Sequence, residues 1–168
     1  LLLFNSHGGQ VRLLQPTALL LRQRFSALAF YASWFDAGYP AGTFSREEME
    51  FGIHAGAIET AMIMHLYPHL VATEHIADFP SKAAALDSDF RLLQSDPGGG
   101  RMGGFGWMMQ DLQASGAAGD ARQATAERGR ALVDRAASRL AELLGEIDRF
   151  DAGRLSETTF LGPKRDGQ

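Results

Sequence analysis

An α/β fold built on a parallel sheet is what this sequence predicts, and three observations carry the reading. An apolar run, a helical segment and a second apolar run follow one another within the first 35 residues. A later segment is apolar nearly all round, and a long amphipathic helix follows it. Strands that alternate with helices pair in parallel, because the helix carries the chain back over the face of the sheet.

"LLLF", residues 1 to 4, reads as a fully buried strand. "VRLLQPTALLLRQRF", 11 to 25, reads as a helical segment in which Pro16 either makes a kink or restarts the helix as a first-turn residue. "SALAFYASWF", 26 to 35, is short, aromatic and apolar, and runs into the turn-rich "DAGYPAGTFS"; it is the second buried strand. "SREE", 45 to 48, has the hydroxyl and the carboxylate three positions on that make a capping box, so a short helix starts there and stops near Gly52. From Ala55 to Leu66 only Glu59, Thr60 and His65 are polar, which predicts an interior helix. Residues 83 to 123 are looser and rich in glycine. Leu132, Ala136, Leu140, Leu143, Leu144 and Ile147 then fall at helical spacing, which predicts a long helix covering the sheet. The expected organisation is one domain over 1–150 and a polar, frayed tail over 151–168.

Composition narrows the chemistry. The 168 residues are 45% apolar and 21% charged, as in ordinary globular chains, and the net charge of -4 provides no basic footprint for nucleic acid or a membrane surface. Partners are therefore expected to be small molecules or proteins. With no cysteine, thiol nucleophiles, disulfides and thiolate metal sites are excluded, and any metal must be held by His and carboxylate. The opening residues have no initiator Met, no basic leader and too short an apolar run to span a bilayer. They read as a chain cut inside a domain, cytoplasmic by default.

The candidate residues cluster in two stretches. In "NSHGGQ", 5 to 10, a His follows the first strand, and strand ends are where open sheets place their chemistry. The glycines beside it let backbone N–H groups approach a ligand. In "FGIHAGAIET", Glu59 has Met62, Ile63 and Leu66 as its helical neighbours and so projects from an apolar face. A carboxylate there calls for a cation; the alternatives are a helix end near the surface or a structural pair with an Arg. His54 and Glu59 would lie about 140° apart on one continuous helix, so they converge only if His54 precedes the helix, which the flanking Gly52 and Gly56 permit as a flexible turn. His65 and His69 are separated by a helix-disrupting Pro68 and read as a surface pair, and His75 as solvated. "GGGRMGGFG" lacks the Lys followed by Ser or Thr of a phosphate loop; a connecting loop with Phe105 and Trp107 as apolar pocket walls fits it better.

These stretches resemble the creatininase (creatinine amidohydrolase) family. "NSHGGQ" is similar to its "NGHGGN" box, "GIHAGAIETAMIM" to its G-x-H-A-G-x-x-E-T-S box, and "GDARQATAERGRAL" to a late segment that leads into its C-terminal helix. The resemblance implies a three-layer α/β sandwich with a mostly parallel sheet flanked by helices. It also implies a divalent metal centre (zinc first, with manganese or iron as alternatives), a homo-oligomer such as a hexamer, and hydrolysis of a cyclic or linear C–N amide bond in a small molecule. Matched residue by residue, His7 takes the place of a metal ligand and His54 that of the catalytic histidine. Glu59 matches the family Glu; it is assigned to the metal because the family's first box holds a carboxylate where this chain has Gly9. Asn5, Gly8, Gly9 and Trp34 are expected to line the substrate.

The chain departs from the pattern at Ser6, Gln10 and Ala61, and it has no upstream E-x-H-G-x-H segment, which in the family supplies further ligands. The substrate is therefore left open among creatinine, formylamino-pyrimidines and peptide-like amides. The alternative function is a non-catalytic family member that serves as an assembly or binding module with an incomplete metal site.

Overall fold

A computed structural model describes residues 1–95 and 100–156. The chain divides into two compact units, Leu1–Ala37 with the segment that starts at Arg139, and Gly38–Ser138.

In the first unit β1 (Leu2–Asn5) runs parallel to β2 (Phe30–Ser33), in a register that sets Leu2 against Phe30 and Asn5 against Ser33. Between them lie a 3-10 turn, Gly8–Leu13, and α1 (Leu14–Phe25). Pro16 stands in the first turn of α1, where its missing N–H costs no helical hydrogen bond. The helix closes at Ser26, which is left-handed at φ 53° and donates its N–H to Arg22 O. The strands are not fully buried as their composition suggests: Leu1, Phe4 and Tyr31 are largely exposed. The register sets Phe4 and Tyr31 on opposite faces, so each face of the two-stranded sheet keeps an exposed apolar side chain, and the residues buried at the strand ends are the polar Asn5 and Ser33. Of the expected polar tail, Asp151–Ser156 makes two sets of hydrogen bonds. Asp151 caps the turn Ala152–Arg154, and Arg22 donates to Ser156 O at 2.8 Å. The remainder of the expected tail, 157–168, lies outside the described residues.

The second unit holds α2 (Arg46–Phe51), α3 (Ala57–Leu66), β3 (Asp78–Phe79), α4 (Ala83–Asp89), β4 (Leu93–Gln94), β5 (Gly103–Gly104), α5 (Met109–Leu112) and β6 (Gly119–Asp120). The long helix α6 (Ala126–Asp148) begins in it. β4 and β5 are parallel, whereas β3 and β6 pair antiparallel. In this unit α6 meets α3: a Cβ on Gly129 would overlap the Ala61 carbonyl, so the two helices touch backbone to backbone. Ala61 is fully buried at that contact, where the larger Ser of the family box would add a hydroxyl needing a partner. α3 buries only Ala57, Ile58 and Ala61, while Ile63 and Leu66 face outward, so it is an edge helix and not the interior one expected. Phe105 is exposed, and the Trp107 indole donates to Ser95 O at 2.6 Å, so Trp107 ties its loop to the residue after β4. No helix among the described residues is long and apolar enough to cross a membrane.

Candidate functional site

The two histidine stretches fall in different units, and each is built by its own means. In the first, β1 ends at Asn5 and the chain turns at once. The buried Asn5 side chain donates to His7 O at 2.8 Å and accepts the His7 N–H at 3.3 Å, so the turn is fastened from within. Its amide also donates to Ser33 Oγ across the strand pair, at 3.4 Å. His7 then leads the 3-10 turn from an extended backbone (φ -125°, ψ 122°) and is exposed. A side chain at Gly9 would meet the His7 ring at 3.7 Å, an ordinary contact, and one at Gly8 would border Phe35. Trp34 follows β2 directly, its ring tilted on Phe35 with centroids 4.8 Å apart. Parallel register puts the ends of β1 and β2 side by side, so Asn5, His7, Gly8, Gly9 and Trp34 gather at the carboxyl edge of one strand pair.

In the second stretch His54 precedes α3, as convergence with Glu59 requires. Gly56 is the N-cap and the helix starts at Ala57. The His54 backbone is pinned to Ala118, whose N–H donates to His54 O at 2.7 Å and whose carbonyl accepts from Ile53 N–H at 2.8 Å. Ala55 then adopts a left-handed conformation, φ 55°, unusual for a residue with a Cβ. Its N–H donates to Glu59 Oε2 at 2.8 Å, and the other oxygen, Oε1, stands 3.5 Å from His54 Nδ1.

Two expectations for this stretch are corrected. Glu59 does not project into an apolar interior; its side chain is 47% exposed. Because α3 begins only at Ala57, Glu59 lies in the first turn, and helical side chains lean toward the N-terminus, here over Ala55 and His54 and away from Met62 and Ile63. The glycines at 52 and 56 do not serve as flexible joints either: their φ angles, -73° and -75°, suit any residue. What forbids a side chain there is Glu48.

Glu48 is the residue that the sequence reading left aside as half of a capping box. Ser45 Oγ does accept the Glu48 N–H, at 3.2 Å, as an N-cap should. The Glu48 carboxylate instead turns inward, is 4% exposed, and accepts Ile58 N–H at 3.3 Å and Asp120 N–H at 2.8 Å. Burial pushes its pKa up, and the N–H groups of Asp120, Ile58 and Ala57 pull it partly back. Beside it Asp120 is held at about 2 by the Arg122 guanidinium, with help from Gln123. No local pattern marks an acid as buried, so the signal that could have found Glu48 is indirect: glycines at 52, 56 and 119 around one acidic side chain.

His65 and His69 do not share a helix, since α3 ends at Leu66 and Pro68 opens a 3-10 turn; His69 and His75 are exposed. As to a metal, three or more His, Asp or Glu side chains do not converge anywhere among the described residues. His7 brings one ring to its turn, and the His54 and Glu59 pair supplies two groups, with one Glu59 oxygen already accepting from the Ala55 N–H. This donor set falls short of the three protein ligands of a catalytic zinc.

Comparison with known proteins gives the fold. A structure from Bacteroides fragilis assigned as a creatinine amidohydrolase superposes with a TM-score of 0.64 at 26% identity, covering 90% of this chain and 55% of its own. A creatinine amidohydrolase (creatininase) crystal structure matches at 0.60 and 22%, covering 89% and 56%. A creatininase variant complexed with creatine matches at 0.60 and 20%, covering 89% and 57%. The chain thus spans a little over half the length of the solved structures it matches, and its α/β fold is creatininase-like. No match was found among curated proteins. The model of the family described as creatinine amidohydrolase covers residues 1–144, the two histidine stretches, the glycine cage and most of α6 included, and this chain therefore belongs to the creatininase family.

Proposed function

We propose that the chain carries the proton-transfer part of an amidohydrolase site that cleaves a C–N amide bond in a small molecule by attack of water. The observation behind this is the His54 and Glu59 pair at the start of α3, 3.5 Å apart and each about half exposed. In this reading Glu59 orients the ring through Nδ1, and Nε2 takes a proton from the attacking water and returns it to the leaving nitrogen. The hydroxyl adds to the amide carbon, the C–N bond breaks, and the protonated amine departs. Glu59 is itself steadied by the Ala55 N–H, so the carboxylate meets the ring from one direction. For the first unit, taken by itself, the family resemblance supports Asn5, Gly8, Gly9 and Trp34, at the edge of β1 and β2, as residues that line a substrate in the whole protein.

A divalent cation, zinc before manganese or iron, belongs to the proposal for the whole protein, with His7 as a contributed ligand and homo-oligomeric assembly as the form in which it works. The described residues do not complete its coordination. Family membership and the amidohydrolase relatives support hydrolysis as the reaction class.

The test is hydrolysis of creatinine and of a panel of linear and cyclic amides by the parent protein and by His54→Ala, with metal content measured by mass spectrometry. A fall in kcat of roughly 10²-fold or more with metal retained is expected. Equal rates in parent and variant would remove His54 from the chemistry. A parent inert on every amide while it still assembles would favour the binding-module alternative.

A further inference from the structure

We infer that Glu48 is the positioning residue for the His54 and Glu59 pair, its buried carboxylate setting where the segment 52–56 and the first turn of α3 stand. The inference rests on the reading of His54 and Glu59 given above and adds the device that holds them.

Glu48 lies on α2, yet its two oxygens reach two other segments. Oε1 accepts from Ile58 in the first turn of α3, and Oε2 from Asp120 in β6. A carboxylate at the start of a ten-residue helix meets N–H groups that have no helical partner and the positive end of the helix dipole. The same side chain excludes all others around it. A Cβ on Gly52 would stand 2.6 Å from Oε1, one on Gly119 2.8 Å from Oε2, and one on Gly56 would overlap Oε1. Gly52 and Gly56 bound the segment that carries His54; their φ angles are ordinary, and a side chain there would strike Glu48, its carboxylate at Gly56 and both its carboxylate and its main-chain carbonyl at Gly52. The segment is thus fastened at both edges: the Ile53 and His54 backbone to Ala118, one residue before β6, and the α3 first turn to Glu48, which also binds β6. Glu59 and Ile58 share that first turn. A shift of Glu48 therefore moves Glu59 relative to His54 without touching either.

A purely structural role would lower stability and leave the ring as it was. Nitrogen NMR of the His54 side chain, at a pH where the ring is neutral, separates the two, because a carboxylate facing Nδ1 holds the proton on that nitrogen. The full chain is compared with Glu48→Gln, which keeps the volume but turns an amide NH2, itself a donor, toward one of the two N–H donors. Leu132→Ala serves as the control that destabilises the same unit from a buried α6 position, and Glu59→Gln as the check on the pair. We expect a single tautomer in the parent and in Leu132→Ala, and mixed tautomers in Glu48→Gln and Glu59→Gln. Glu48→Gln with the parental signature overturns the inference. Glu59→Gln with the parental signature overturns the underlying reading of the pair instead. If Glu48→Gln does not fold, Glu48→Asp, too short to reach both N–H groups, is read by the same criterion.

Discussion

At the end of β1, His7 is held by its own neighbours: Asn5, two residues earlier, bonds both its N–H and its carbonyl. Ahead of α3, His54 is held by residues far along the chain, Ala118 on its backbone and Glu48 through a carboxylate that spans α3 and β6. Both are histidines beside glycines, yet one turn is local and the other exists only once the second unit has closed. The difference teaches that glycines beside a histidine need not be there for the histidine. A side chain at Gly9 would meet the His7 ring at ordinary contact distance, whereas one at Gly52 or Gly56 would strike Glu48.

The comparison breaks most visibly at Glu48. Glu48→Ala leaves the N–H groups of Ile58 and Asp120 without their acceptor in a buried place, and a loss of about 3 kcal/mol is expected for the second unit. Urea unfolding followed by probes in each unit would measure it, and the first unit should be spared. Asn5→Ala should cost less, about 1 kcal/mol, because the exposed His7 backbone can turn to water for its bonds. The same denaturation experiment reads it, now in the first unit, and a loss as large as that of Glu48→Ala would erase the distinction between local and long-range support.

The smallest effect is electrostatic and sharpens the picture of the β6 corner. Asp120 titrates at about 2 when folded, below the ordinary carboxylate range, so its ion pair stabilises the fold above about pH 4 and that contribution is lost as the pH falls toward 2. Glu48 acts in the opposite sense: its pKa is raised, so its contribution is complete in acid and declines as the pH rises through its folded value. Asp120→Asn should therefore flatten the acid limb of a stability against pH curve and leave the limb above pH 4 in place. The effect should be modest, since Arg122 is 60% exposed and screened by solvent. An unchanged acid limb would remove the Asp120 pair from the account.

What the sequence by itself determined is local and covalent in origin. The strand, helix, strand order of the first unit follows from apolar period and from Pro16, whose fixed φ suits a first turn. The Ser45 cap follows from a hydroxyl ahead of a helical run, and the start of α3 after His54 from the break in pattern at 52–56. The two histidine stretches and the family they indicate were legible because their spacing is written in adjacent residues. What only the tertiary structure decided is where carboxylates go. Glu59 reads as buried and stands half exposed, since α3 begins at Ala57, two residues into the apolar run, and leaves Glu59 in a first turn whose side chains lean back over His54. Glu48 reads as half of a capping box and is buried, since its oxygens bind Ile58 ten residues away and Asp120 seventy-two away. Side-chain period carries the choice between helix and strand, but the cost of burying a charge is met only by donors that folding brings from elsewhere, and those donors leave no mark beside the residue that needs them.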